Sequence, residues 1–182
     1  MEFRPLELAG VILVVPDVHP DERGFFLETY HRDKYAKGGI PETFVQDNQS
    51  FSHRRVLRGL HAQLFYPQGK LVRAITGEIF DVAVDIRPGS PTFGRWLGEI
   101  LSGENARQLY VPPGFAHGFA VLSESAHVQY KCTDVYRPGD EIGVAWNDPE
   151  IGVEWPVQDP ILNEKDRGAP RLAEIVQRLR SV

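Results

Sequence analysis

The sequence predicts an all-β fold with enough strands for a jelly roll and only a few short helices at its periphery. Two observations support this prediction. The 17 glycines and 14 prolines are spread along the 182 residues and separate short apolar segments, a spacing typical of strands joined by turns. Eight or more such segments are present, whereas the period of an amphipathic helix occurs in only two places.

The clearest strand covers residues 78–86, where apolar side chains at alternate positions form one face and the acids Asp81 and Asp85 stand on the other. Residues 70–75 predict the preceding strand, and the Thr-Gly turn between the two indicates a hairpin-like connection. A segment rich in proline and glycine then ends the pattern. Further strands are predicted at 11–15, 25–30, 44–50, 97–101, 108–111, 118–122 and 126–133.

Helix is predicted at 32–36 and at 171–180, and in the second segment apolar residues recur at helical spacing. No segment repeats at a fixed period, and the nearest feature to a linker, 156–160, is interpreted as a surface loop. A chain of 182 residues is long enough for one complete hydrophobic core. We therefore predict a single domain that covers residues 1–182.

The charge and composition of the chain argue against two classes of partner. The net charge is -5, and acids and bases are interspersed, so no basic stripe is available to neutralise a nucleic-acid backbone. No window contains the roughly 20 apolar residues that a membrane span requires.

The one cysteine, Cys132, cannot form an intramolecular disulfide, and the amino terminus lacks a secretory signal, so we expect a cytoplasmic protein.

Three arginines are placed where the side chain can bind a phosphate. Arg23, Arg58 and Arg73 each stand beside a glycine turn or an apolar strand residue. Arginine in such places either remains on the solvated surface or binds a phosphate or carboxylate, and a few such side chains can hold a diphosphate inside an acidic protein. A nucleotide-sized ligand is therefore compatible with the net charge.

Six histidines are candidates for proton transfer, and two of them have informative neighbours. His61 lies close in sequence to Arg58 and Lys70, so cations from adjoining strands can face the same cavity and keep an imidazole neutral, as a general base must be. His117 follows a Pro-Gly turn and enters an apolar strand, where a buried structural role fits the pattern equally well. The histidines interpreted as surface residues are His19, His31, His53 and His127.

Metal binding and nucleophilic catalysis have weaker support in the sequence. Metal sites in jelly-roll barrels normally take two ligands from a His-x-His pair, and here Gln63 occupies the second position after His61. No metal site is therefore predicted. Cys132 has no histidine near it in sequence, and no Gly-x-Ser-x-Gly elbow occurs, so we expect this thiol in the core.

Ten short strings of residues stand out along the chain. They are DERGFF (21–26), FVQDN (44–48), VLRGLH (56–61), QGKLVR (68–73), GEIFDVAVD (77–85), SPTFG (90–94), GFAHGF (114–119), YK (130–131), WNDP (146–149) and EKD (164–166). In order and spacing, over roughly residues 10–168, these strings resemble the dTDP-4-dehydrorhamnose 3,5-epimerase family of the cupin superfamily.

The resemblance implies a cupin-type jelly roll, or double-stranded β-helix, that forms a homodimer and holds the sugar inside its barrel. The family's base falls on His61, the aspartate that orients this base on Asp166, and the tyrosine acid on Tyr130. Lys70 and His117 fall on positions that contact the sugar or its developing negative charge. The nucleotide-binding positions of the family match Arg23, Glu28, Gln46, Asn48, Arg58 and Glu141, and Tyr136 matches the aromatic residue that stacks on thymine.

The resemblance also implies an isomerase that epimerises dTDP-4-dehydro-6-deoxy-D-glucose at carbons 3 and 5 to dTDP-4-dehydro-L-rhamnose, in dTDP-rhamnose biosynthesis. Both carbons flank the 4-keto group, so loss of either proton leaves an enolate, and the reaction needs no metal or redox cofactor. Three alternatives stay open: an epimerase of carbon 3 alone, a metal-dependent cupin, and a non-catalytic sugar-nucleotide binder. The chain departs from the family pattern at Ala62, Gln49 and Val135, which concern the grip on the nucleotide more than the reaction class.

Overall fold

The computed structural model describes residues 1–181, so Val182, the last residue of the predicted domain, lies outside the described residues. Within them the chain forms thirteen strands and three short helices. The strands are β1 (Glu2–Pro5), β2 (Ile12–Val15), β3 (Val18–Asp21), β4 (Gly24–Leu27), β5 (Gln46–His53), β6 (Leu57–Gln63), β7 (Lys70–Thr76), β8 (Glu78–Asp85), β9 (Trp96–Ser102), β10 (Gln108–Val111), β11 (Phe115–Val121), β12 (Ser125–Cys132) and β13 (Glu141–Gly143). The helices are α1 (Arg32–Lys37), α2 (Glu164–Arg167) and α3 (Leu172–Leu179).

Two antiparallel sheets form the body of the molecule. The first has six strands in the order β1-β2-β10-β7-β12-β5, and the second has five in the order β13-β6-β11-β8-β9. β3 and β4 form a separate hairpin. Apolar side chains from both sheets, among them Val72 on β7, Ile79 on β8 and Val128 on β12, make one core cluster. The predicted all-β jelly roll is therefore confirmed.

The predicted hairpin between residues 70–75 and 78–86 is wrong. β7 pairs with β10 and β12 in the six-stranded sheet, whereas β8 pairs with β11 and β9 in the five-stranded sheet. The turn at Gly77 (φ 76°) therefore carries the chain from one sheet to the other. Both strands bury backbone along their length and so need hydrogen-bonding partners on both edges. These partners come from distant parts of the chain, which side-chain alternation alone does not reveal.

Both sheets are also covered on part of their outer faces. α3 packs Leu172, Ile175 and Leu179 into a second apolar cluster with Val82 of β8. α1 and its flanking segments cover part of the six-stranded sheet with aromatic side chains, among them the buried Tyr35. β8 is therefore buried on both faces, and the acidic face that alternation predicts for it points into the molecule.

The two aspartates of β8, Asp81 and Asp85, are both fully buried. Asp85, at the end of the strand, accepts hydrogen bonds from the side chains of Arg87, Ser90 and Thr92. Burial alone raises the pKa of a carboxyl group, but these hydrogen bonds outweigh burial and lower the pKa of Asp85 to about 2. The turn that ends β8 is therefore organised around an ionised carboxylate.

Several element boundaries differ from the predicted ones. β1, β3, β6 and β13 are not predicted. Three of them are short and carry prolines or charges that disfavour strand, and β6 is interrupted by Arg58 and Gly59. The predicted strand 25–30 ends at Leu27, and the predicted strand 44–50 begins at Gln46. α2 is too short to produce a helical period. None of the helices in residues 1–181 is long and apolar enough to cross a membrane.

Candidate active site

A cavity lies between the two sheets, and its walls come from both of them. His61 on β6 and His117 on β11 belong to the five-stranded sheet, where they are direct cross-strand neighbours. Lys70 on β7 and Tyr130 on β12 belong to the six-stranded sheet. The cavity has two parts, and three of these side chains, His61, Lys70 and Tyr130, line both. The predicted base and the predicted acid thus project into one space from opposite walls.

His61 is held by an acid from the far end of the chain. Its Nε2 lies 2.6 Å from Oδ1 of Asp166, which is 2% exposed. The other carboxylate oxygen accepts a hydrogen bond from the backbone N–H of Gly59 at 3.2 Å. Burial would raise the pKa of Asp166, but the hydrogen bond with His61 outweighs burial and holds that pKa below its ordinary value. Asp166 is therefore a carboxylate that engages Nε2 of the imidazole ring.

Local backbone features place Asp166 against the histidine. Oδ1 of Asn163 caps α2 by accepting a hydrogen bond from the backbone N–H of Asp166 at 2.7 Å. Gly59 has a φ of 114°, and a Cβ at this position would lie 2.7 Å from Cα of Gly118 and from the carbonyl oxygen of His117. Glycine is therefore required where β6 approaches β11.

His117 has a carboxylate partner of its own. Its Nε2 lies 2.8 Å from Oδ1 of Asp81 on the neighbouring strand β8, and both side chains are buried. Oδ2 of Asp81 has no hydrogen-bond partner among residues 1–181. His117 is thus buried in the wall and also lines the cavity. The sequence alone did not decide between these two placements. Asp81 is not among the predicted site residues, although its place on the acidic face of β8 was a usable signal.

Burial shifts the pKa values of Lys70 and Tyr130, the two side chains that come from the six-stranded sheet. It lowers the pKa of Lys70, although the nearby thiol of Cys132 acts in the opposite direction. It raises the pKa of Tyr130, although Arg58 acts to lower it. Tyr130 therefore keeps its phenolic proton at neutral pH and can donate it. Lys70 is poorly solvated, a condition that strengthens its interaction with a negative charge formed in the cavity.

The two parts of the cavity are bordered by Tyr136 and by Arg58, and we call them the Tyr136 side and the Arg58 side. On the Tyr136 side, Gln46 accepts a hydrogen bond from the backbone N–H of Tyr136 at 2.8 Å and donates one to Asn48 at 3.1 Å. On the Arg58 side, Nε of Arg58 donates to Oγ of Ser52 at 2.9 Å. The predicted nucleotide residues Gln46, Asn48 and Tyr136 therefore border one part of the cavity, and Arg58 borders the other.

Glu141 places a second carboxylate near the predicted base. Its Oε1 lies 3.8 Å from Nε2 of His61 and forms an ion pair with the ammonium group of Lys165 on α2. Lys165 is not among the residues predicted from the sequence, and its place in the EKD string next to Asp166 is the signal that could have found it. The ion pair joins α2 to β13 across the Tyr136 side of the cavity.

Two predicted site residues lie outside the cavity. Arg23 stands in the turn of the β3–β4 hairpin with 84% of its side chain exposed, and it pairs with Asp21. Glu28 follows β4 and pairs with Lys34 at 2.9 Å. The other ten predicted residues line the cavity: Gln46, Asn48, Arg58, His61, Lys70, His117, Tyr130, Tyr136, Glu141 and Asp166.

The remaining candidates from the sequence lie elsewhere. The exposed histidines are His19, His31 and His53, as predicted. His127 is half-buried instead, because its Nδ1 lies 3.1 Å from Nε2 of Gln49 on the paired strand β5. Cys132 is buried as predicted, and Arg73 lies outside both parts of the cavity. Within residues 1–181, no group of three His, Cys, Asp or Glu side chains is arranged to hold a metal ion.

The chain matches known proteins over almost its whole length. The family model for dTDP-4-dehydrorhamnose 3,5-epimerase matches residues 5–174. A dTDP-4-dehydrorhamnose 3,5-epimerase of Pseudomonas aeruginosa is 54% identical over 176 residues, which are 96% of this chain and 97% of the relative. A dTDP-4-dehydrorhamnose 3-epimerase of Streptomyces niveus is 41% identical over 96% of this chain and 85% of the relative. A dTDP-6-deoxy-D-glucose-3,5-epimerase of Legionella pneumophila, solved in complex with dTDP-4-keto-L-rhamnose, has a TM-score of 0.95 and 48% identity over 98% of this chain and 96% of that one.

Proposed function

Because the chain belongs to the dTDP-4-dehydrorhamnose 3,5-epimerase family, we propose that it inverts carbons 3 and 5 of dTDP-4-dehydro-6-deoxy-D-glucose and so forms dTDP-4-dehydro-L-rhamnose. The observation that supports this proposal beyond the family relation is the placement of acid and base. A histidine paired with a carboxylate and a protonated tyrosine project into one cavity from opposite walls. An epimerase needs this arrangement because it removes a proton from one face of the sugar ring and returns one to the other.

The ketone of the substrate supplies the electron sink for the reaction. In the proposed step, Nδ1 of His61 takes the proton from carbon 3 or carbon 5, and the electron pair of the broken C–H bond passes to the carbonyl oxygen as an enolate. Tyr130 then gives its phenolic proton to the opposite face of the same carbon, and the carbonyl re-forms. Solvent takes the proton from His61 and returns one to Tyr130, which resets the site for the second carbon.

The enolate oxygen needs a fixed positive or hydrogen-bonding partner. Lys70 and His117 line the same part of the cavity as His61 and Tyr130, and we assign this role to Lys70 with His117 beside it. Asp166 holds the imidazole of His61 in one orientation and stabilises its protonated form, because the carboxylate lies 2.6 Å from Nε2. The chemistry therefore requires no electron sink beyond the substrate.

The nucleoside part of the ligand is assigned to the Tyr136 side of the cavity. Tyr136 is 49% exposed at the rim, where its ring is available to stack on the thymine base. Amide groups of Gln46 and Asn48 and the carboxylate of Glu141 line the same side and offer hydrogen bonds to the ribose and base. Arg58 borders the other side, where a guanidinium group can bind the diphosphate.

A homodimer is part of the proposal, because two predicted ligands of the nucleotide do not reach the cavity of their own chain. Arg23 and Glu28 belong to the β3–β4 hairpin and the segment after it, and the hairpin exposes Phe25 and Phe26 by 65% and 71%. If a second copy of the chain covers these rings, Arg23 and Glu28 of the first copy come towards the cavity of the second. The proposed location is the cytoplasm, since the buried free thiol of Cys132 suits a reducing compartment.

The reaction is tested by proton exchange. The protein is incubated with dTDP-4-dehydro-6-deoxy-D-glucose in heavy water, and carbons 3 and 5 are followed by NMR beside a His61→Ala variant. We expect deuterium at both carbons with the native protein and a loss of about a hundredfold or more in the variant. A variant that exchanges as fast as the native protein would remove His61 from the mechanism, and a native protein without exchange would overturn the proposed function.

The same experiment separates the alternatives. A relative that is 41% identical is described as a 3-epimerase, so inversion of carbon 3 alone is the main competing activity. Deuterium at carbon 3 but not at carbon 5 would assign the chain to that activity. Binding of the sugar nucleotide without any exchange would indicate a non-catalytic binder, and activity that disappears on treatment with a chelator would indicate a metal-dependent cupin.

A further inference from the structure

Gln63 has a buried side chain whose amide is fully used on backbone groups. It stands two residues after His61 on β6 and is 6% exposed. Its Nε2 donates to the carbonyl oxygen of Tyr66 at 2.7 Å and to that of Val135 at 3.3 Å, and its Oε1 accepts from the backbone N–H of Arg137 at 2.8 Å. These bonds orient the amide, because oxygen must face the N–H and nitrogen the two carbonyls.

Two of the three hydrogen bonds of Gln63 join it to the residues that flank Tyr136, Val135 and Arg137. The backbone N–H of Tyr136 itself donates to Oε1 of Gln46 at 2.8 Å. Three consecutive residues, 135–137, are therefore held by glutamine side chains, one from the five-stranded sheet and one from the six-stranded sheet. The loop that carries Tyr136 is fixed to both walls of the barrel.

A second loop is joined to the first at the same place. Both carboxylate oxygens of Asp140 accept backbone N–H groups, from Phe65 at 2.9 Å and from Tyr66 at 3.0 Å. The guanidinium carbon of Arg137 lies 3.9 Å from the centre of the Tyr66 ring. Residues 64–66 and 134–137 thus form one structure at the rim, which we call the lip.

We propose that Gln63 is a positioning residue for the nucleotide: it holds the lip so that the ring of Tyr136 is set in place to stack on the base before the ligand arrives. This inference rests on the proposed function. Because Tyr136 is half-exposed, its own packing restrains it little, and its place depends on the backbone at 135–137. Loss of the Gln63 amide removes its hydrogen bonds to Tyr66, Val135 and Arg137 and frees the loop, and the cost of ordering it again falls on ligand binding.

The first test compares Gln63→Met, which keeps the volume of the side chain and removes its three hydrogen bonds, with Gln108→Met. Gln108 is also a buried glutamine, it bonds Thr29 and Tyr35, and none of these three residues lines the cavity, so it controls for the general cost of losing a buried amide. We expect both variants to melt at lower temperature. Only Gln63→Met should bind dTDP about tenfold more weakly by calorimetry and raise KM for the sugar nucleotide more than it lowers kcat.

The second test asks whether Gln63 acts through Tyr136. In a double-mutant cycle, Tyr136→Ala removes the ring, so Gln63→Met should weaken dTDP binding much less in that background than in the native one. Losses that multiply in full would show that Gln63 does not act through the ring and would overturn the inference, as would native dTDP affinity in Gln63→Met.

A further variant keeps the inference testable if Gln63→Met does not fold. Gln63→Glu retains an oxygen for the N–H of Arg137 but turns a second oxygen towards the carbonyls of Tyr66 and Val135. Its dTDP affinity should be lowest when the carboxylate is ionised and improve, relative to the native protein, when acid protonates it and restores a donor. An affinity ratio independent of pH would contradict the inference. If the native protein binds dTDP but exchanges no sugar protons, the proposed function fails while the role of Gln63 stands.

Discussion

The two histidines of the cavity each pair with a carboxylate, but the two pairs are built differently. Asp81, the partner of His117, comes from the neighbouring strand of the same sheet, and one of its oxygens is buried without a hydrogen bond within residues 1–181. Asp166, the partner of His61, comes from a helix 105 residues away and uses both oxygens, one of them on Gly59. The side chain of His61 is 28% exposed, whereas that of His117 is 7% exposed.

This difference suits the two histidines to different tasks. His117 is fixed by adjacent strands and has little access to water, which fits a stationary partner for negative charge on the sugar oxygen. His61 is more accessible, and a base that must exchange its proton with solvent in each turnover needs that access. The proposed base therefore depends on a carboxylate from a distant part of the chain, whereas His117 depends on one from the adjacent strand.

The largest expected effect comes from neutralising each carboxylate in turn. Asp166→Asn should lower kcat for deuterium exchange by about a hundredfold or more, because the amide neither stabilises the imidazolium nor selects its tautomer. Asp81→Asn should lower kcat by only about tenfold, because His117 still reaches the enolate oxygen. Steady-state exchange kinetics measure both. Equal losses would mean that the two pairs share one role.

A methyl group at Gly59 should disturb both pairs at once. Gly59→Ala places a Cβ against β11 beside His117 and strains the residue whose N–H holds Asp166, so we expect a loss of about 3 kcal/mol in the free energy of unfolding. Gly89→Ala is the matched control, since Gly89 has a φ of 82° but open space around its Cβ, and it should lose only about 1 kcal/mol. Urea unfolding gives both values, and similar losses would show that β11 yields to the methyl group.

The contact between Asp166 and His61 can also be weakened without changing either residue. Asn163→Ala removes the cap of α2 and should cost about 1 kcal/mol of stability, together with a modest fall in kcat as Asp166 loses its fixed position. Asn163→Ser keeps a capping oxygen and should restore most of both. An alanine variant with native kcat would show that the cap contributes nothing to the orientation of His61.

The smallest expected effect is a dependence of stability on acid. The pKa of Asp166 is held below its ordinary value of 3.8, so its stabilising contribution is fully present above that pH and is lost as the pH falls through the lowered pKa. The stability difference between native protein and Asp166→Asn should therefore be larger at pH 5 than at pH 3. Unfolding by urea at the two pH values measures it, and a difference that grows on acidification would reverse the assigned sign.

Much of the site was predictable because its residues stand in short, recognisable strings. His61, Lys70 and Tyr130 were identified from the strings around them, and the structure brings all three to one cavity. The strand that carries Asp81 and Asp85 was identified from alternation alone. The alternation of apolar and polar residues shows that a segment is a strand and which face each side chain occupies, because both depend only on neighbouring positions in the sequence.

The features that could not be predicted are those that depend on which strands pair with each other. The sequence places 70–75 and 78–86 in one hairpin, although they belong to different sheets. For the same reason it does not pair Asp81 with His117 or Lys165 with Glu141, because these contacts join segments far apart in the chain. Gln63 was interpreted as a lost metal ligand, and its bonds to the lip become visible only when the loops are in place.

The division of the cavity between two sheets gives the hydrophobic core a part in the chemistry. The distance from the imidazole of His61 to the phenol of Tyr130 depends on the separation of the two sheets, and core side chains such as Leu109 and Val121, which do not line the cavity, contribute to that separation. Packed interiors transmit changes of volume over several residues. Two proteins with identical cavity residues can therefore differ in turnover because their cores differ in thickness, and evolution can adjust the rate of this reaction from inside the barrel.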